Sequence, residues 1–114
     1  MSKRSDDKYL ADMVQYARDA CEIAARVDAE GFQRDRAIQL ALAHLVQIIG
    51  EAASRTDEST RTLLPSVPWP QIIGMRHRLV HDYGNISYAV IWEVVERDLP
   101  PLIAALKAFT PPSA

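Results

Sequence analysis

Almost every stretch of this chain repeats its apolar residues at helical spacing, and none alternates apolar with polar in the manner of a strand. The first stripe is Leu10, Met13, Ala17, Ala20, Cys21, Ala24 and Val27. Ser5 is placed to cap its start, Asp6 and Asp7 suit the positive end of the helix dipole, and Gly31 is a natural stop. A second helix is predicted from Arg34 to Thr56, with Ile38, Ala41, Leu42, Leu45, Ile49 and Ala52 as its main face. His44 and Glu51, seven residues apart, share a side just beside that face.

Between Asp57 and Pro70 the pattern weakens. Glu58 to Leu64 suits a short helix, and Pro65, Pro68 and Pro70 punctuate the chain after it. A third helix is predicted from Pro68 to about His81, because proline is tolerated in a first turn. Its stripe reads Trp69, Ile73, Arg76, Val80 and Tyr83, with Ile72 and Leu79 alongside, and Arg76 interrupts it. Gly84 and Asn85 break the pattern, and Ser87 can cap a fourth helix carrying Ile91, Val94, Val95, Leu99, Leu102, Ile103, Leu106 and Phe109. Pro100 and Pro101 fall inside it, which predicts a kink or split near Leu99. The tail from Thr110 to Ala114 is expected to fray. The fold expected is therefore all-α, an antiparallel four-helix bundle with an extra short helix, one domain over residues 1–114.

The 13 lysines and arginines against 15 acids give a formal net charge of −2, which excludes coating of nucleic acid by bulk charge. Any RNA contact needs a local basic site. The single cysteine, Cys21, excludes an intrachain disulfide and reads as a small buried hydrophobe. No run approaches the length of a membrane span, and the polar start has no apolar signal region, so a cytoplasmic protein is expected.

The chemistry concentrates in Arg76-His77-Arg78-Leu79-Val80-His81-Asp82-Tyr83. On an unbroken helix Arg76 and His81 would stand about 140° apart. They can converge only if the helix ends near His81 or if two copies meet. Arginine offers a permanently charged fork for phosphate, and histidine moves protons near neutrality. Together they suffice for metal-free RNA cleavage through attack of the ribose 2′-OH on the adjacent phosphorus. A solvated helix cap is the simpler reading of the same residues. His77 and His81 have a spacing that can hold a metal, but no cysteine or close acid pair completes a set, so no metal is expected. Arg78 reads as a phosphate-steering charge or a plain surface residue. Glu51 either belongs with His44 to a polar edge or orients Arg76 through a hydrogen bond. Trp69 and Trp92 read as core or interface anchors.

Arg76, four residues, His81, one residue, then Tyr83 resembles the Arg-x4-His-x-Tyr signature of HepT-like proteins in the HEPN superfamily. The flanks Pro68–Met75, Ile91–Leu102 and Ile48–Ala53 resemble that family too, in the same order. The resemblance implies a helical bundle that forms a homodimer and acts as a metal-independent endoribonuclease on RNA. It also implies the toxin half of a type VII-like toxin–antitoxin pair, whose partner is an MntA-type nucleotidyltransferase antitoxin. Carried over by position, Arg76 and His81 become the catalytic pair, with His77, Arg78 and Glu51 in support. Tyr83 becomes the residue AMPylated by the partner, which uses ATP; the chain itself needs no cofactor and no membrane. The alternative is a non-catalytic HEPN protein that binds the nucleotidyltransferase and serves as its AMP acceptor. Three positions depart from the usual pattern: His77 replaces a frequent asparagine, Asp82 a frequent glycine, and Gly84 a frequent aromatic residue. Asp82 adds negative charge where RNA phosphate would approach.

Overall fold

A computed structural model describes residues 3–81 and 84–109. Helix α1 spans Lys3–Ala24, α2 Ala29–Arg34, α3 Arg36–Ser54 and α4 Glu58–Leu63. The short helices α5, Trp69–Ile73, and α6, Met75–Leu79, lead into a hairpin of β1, Val80–His81, and β2, Asn85–Ile86. Helix α7, Tyr88–Glu93, passes through a π-helical turn at Val94–Asp98 into α8, Leu99–Phe109. Four helical stretches thus build the all-α bundle, namely α1, α3, α5 with α6, and α7 through α8. Helix α3 is the shared partner: it packs chiefly on α1 and also touches α2, α5, α6 and α7.

The core follows from the stripes. Leu10, Met13 and Ala17 of α1 are buried with Leu42, Val46, Ile49 and Ala53 of α3 and with Leu99, Leu102 and Leu106 of the last helix. Each large side chain taken wholly out of water here contributes roughly 1.5–3 kcal/mol. Trp69 is a core anchor, its indole N–H donating to the carbonyl of Leu64 at 3.0 Å. Trp92 is half-buried and lies on Phe32, with ring centroids 4.9 Å apart.

Several boundaries differ from expectation, each for a local reason. Ser5 lies within α1, which begins at Lys3, and so is not at the helix start. Asp6 is buried there and accepts hydrogen bonds from Asp57 N and the Thr60 hydroxyl, so it ties α1 to α4. Gly31 stops nothing: Asp28 caps a new helix by accepting from Gly31 N at 2.8 Å. Helix α3 proves long and apolar enough, by length and composition, to cross a bilayer, contrary to the expectation that no run approaches that length. In the fold its apolar face is the centre of the core.

The third helical stretch departs most. It divides at Gly74, a poor helix former, and ends at Leu79 in place of His81. Its buried face is Trp69, Ile72, Met75 and Leu79, one residue round from the expected stripe. Arg76 therefore points outward and interrupts no apolar face. The hairpin, which no alternation in the sequence predicts, pairs Val80 with Ile86 and His81 with Asn85. Gly84 supplies a φ of 95° in its turn, a conformation that L side chains rarely adopt.

Ser87 caps α7 as expected, accepting from Val90 N. The split foreseen near Leu99 is the π-helical turn. There the Leu99 N–H bonds to Val94 O, five residues back. Pro100 and Pro101 have no N–H to offer, and the wider turn accommodates them. The tail at 110–114 lies outside the described residues.

Candidate functional site

Arg76 is placed by its neighbours in the chain. Met75 and Leu79 on either side of it are fully buried, so α6 is pinned by its inner face and Arg76 is turned to solvent. Gly50 lets this segment approach α3: a Cβ there would stand 3.3 Å from Ile72 O and 3.9 Å from Arg76 Cγ. One residue along α3, the Glu51 carboxylate takes an N–H from Arg76 Nη1 on Oε1 at 3.0 Å. Its Oε2 accepts from Arg55 Nε at 2.9 Å. A single acid thus holds two guanidinium groups.

The Arg76 side chain remains 64% exposed and that of Glu51 42%, so the pair contributes little to stability. Its effect is to orient. Donating to the Glu51 carboxylate raises the Arg55 guanidinium still further above its ordinary value. Arg76 borders two surface hollows. One is lined by His44, Gln47, Ile48 and Glu51, the other by Ser54, Ile73, His77 and Val80.

His77 is thus beside Arg76, and His44 shares a hollow with Glu51 as their common side required. Arg78 faces elsewhere. Its Nη1 donates to Asp98 Oδ2 at 2.9 Å and its Nη2 lies 3.7 Å from Glu93, so it clamps α6 to the last helical stretch. The backbone of His81 is on β1, two residues beyond the end of α6, so the separation set by an unbroken helix does not apply. The His81 side chain, Asp82 and Tyr83 lie outside the described residues. Among the described residues no three His, Cys, Asp or Glu side chains are grouped to hold a metal ion.

Sequence reasoning passed over Arg55 and Ser54. The signal for Arg55 was present, because Glu51 and Arg55 are four apart on a helix and meet on its surface.

An all-helical bundle that carries Arg-x4-His-x-Tyr across the end of its third helical stretch is a HEPN-type domain. A family model described as "Ribonuclease HepT-like" matches residues 13–109, and the chain belongs to that family. It is 33% identical over 102 residues to a Methanocaldococcus jannaschii protein named "Putative RNase", covering 90% of this chain and 94% of that one. It is 32% identical over 100 residues to a "Probable ribonuclease HepT" of Thermococcus cleftensis, covering 88% and 91% respectively. A Caldanaerobacter subterraneus protein, also named "Putative RNase", is 31% identical over 99 residues, 87% of this chain and 88% of its own. No solved structure matches the chain.

Proposed function

We propose that this protein is a metal-independent endoribonuclease that works as a homodimer and forms the toxin half of a type VII-like HepT/MntA pair. The observation that carries the reading is Arg76: a guanidinium turned outward from the bundle, held by Glu51 and bordered by His77. Family membership and the names of the relatives support ribonuclease chemistry.

In this mechanism the ribose 2′-OH attacks the adjacent phosphorus, the O2′–P bond forms, and the P–O5′ bond breaks. His81 takes the proton from the 2′-OH in one role and returns one to the departing 5′-oxygen in the other. The permanent charge of Arg76 stabilises the phosphoryl oxygens as negative charge builds on them. AMPylation of Tyr83 by a nucleotidyltransferase of MntA type, with ATP as donor, would silence the site by adding a phosphate and a bulky nucleoside two residues from His81.

Arg76→Ala and His81→Ala should each relieve growth arrest when the chain is expressed alone. Each should also lower RNA cleavage by on the order of 10²- to 10³-fold, with or without a chelator. Undiminished cleavage by both variants would overturn the catalytic assignment. Incubation with the nucleotidyltransferase and ATP, followed by intact-mass measurement, tests the regulatory arm. Wild type should gain AMP mass and Tyr83→Phe should not.

A further inference from the structure

Arg55 meets the same carboxylate as Arg76, and we infer that it is a second RNA-binding residue of this site, gripping the backbone phosphate next to the one at Arg76. The inference rests on the proposed ribonuclease activity and extends its substrate contacts. Glu51 takes Arg55 on one oxygen and Arg76 on the other, so the two forks lie side by side across one anionic group. A guanidinium has five N–H donors, and each arginine gives one of them to Glu51. The side chains stay 60% and 64% exposed, which leaves their outer edges open to a ligand.

The neighbouring surface agrees. Ser54, adjacent to Arg55, lines a hollow with Arg76 and His77, so the end of α3 borders the same ground as the motif. Two arginines against one glutamate make this spot locally cationic on a chain whose net charge is −2. That is the local basic site an RNA-binding protein of this charge requires. Two adjacent cations would otherwise spread apart. Glu51 beneath them acts as a positioning residue that keeps both within reach of successive phosphates on a single strand. The competing explanation is that Arg55 only answers the negative end of the α3 dipole. Under that explanation its loss would leave RNA binding untouched.

The test uses the full chain carrying His81→Ala, so that RNA is bound but not cut, with a short fluorescent single-stranded RNA and titrations over a range of salt. Adding Arg55→Gln should weaken binding about fivefold to tenfold at moderate salt and lower the slope of log K against log salt by about 0.7. Arg55→Lys should restore most of that slope, and Arg97→Gln, which removes an exposed charge elsewhere, should change neither. If Arg76→Ala weakens binding while Arg55→Gln matches its parent, the inference is wrong and the ribonuclease reading stands. If the parent itself does not bind RNA, the ribonuclease reading fails first.

Discussion

The Sγ of Cys21 on α1 faces the carbonyl oxygen of Val95 at 4.0 Å, a long contact with a specific cause. Within the helix, Val95 O could look to Leu99 or Pro100 for a donor. Leu99 N–H is committed to Val94 O, and Pro100 has none. The half-buried thiol is the weak donor that remains. Burial pushes its pKa up from the ordinary 9.0, and Glu96 adds to the rise.

Cys21→Ala should therefore cost about 1 kcal/mol by leaving a carbonyl without a partner, whereas Cys21→Ser should cost less. Urea denaturation checks both. Because the folded pKa lies above the unfolded one, the thiol's contribution is complete below about pH 9 and is lost as pH rises through the folded value. Alkylation of the native protein near pH 9 should accordingly run slower than that of an unfolded control.

Arg78 and Arg76 are two residues apart but should behave differently. Arg78→Ala removes the clamp to Asp98 and Glu93 and should lower stability by about 1 kcal/mol, the exposure of the pair keeping the figure small. Cleavage by the folded variant should stay within a few fold of wild type. A loss as deep as that of Arg76→Ala would place Arg78 on the substrate.

Gly50→Val should separate packing from charge. A Cβ at this position already crowds Ile72 O at 3.3 Å, and a branched side chain must push α5 and α6 away from α3. A loss of about 2 kcal/mol is expected, visible as a lower Tm. Cleavage measured well below that Tm should fall as well, because Arg76 moves with the segment.

Glu51→Gln retains the shape and removes the charge. Arg76 and Arg55 lose the anion that aligns them, so kcat for RNA cleavage should fall about tenfold. RNA affinity should fall less than kcat, because the lost alignment of the two arginines is partly offset by removal of one negative charge near the phosphates. A rise in KM with unchanged kcat would mean that Glu51 contributes only to binding.

Much of the fold was legible in the chain. The faces of the first, second and fourth helical stretches emerged because Leu10, Met13 and Ala17, then Leu42 and Ile49, then Ile91, Leu99 and Leu102 repeat at one period and are buried. The cap at Ser87 was legible from its hydroxyl preceding an apolar stripe. The third stretch misled because Ile72, Ile73, Met75, Leu79 and Val80 fill two adjacent faces, and only contact with α3 decides between them. The hairpin was hidden because two-residue strands are too short to show alternation. Asp6 suggested a dipole partner, and its tie to Thr60 depends on chain 54 residues further on.

Helix α6 has only five residues, far below the length at which a helix sustains itself. Whatever order it has is lent by Met75 and Leu79 beneath it. The segment that presents Arg76 should therefore be among the first to open, and its amides should exchange with deuterium while α1 and α3 stay closed. A slightly smaller side chain at Met75 or Leu79 could then quench the protein long before the bundle melts, leaving a folded molecule with an unset trigger.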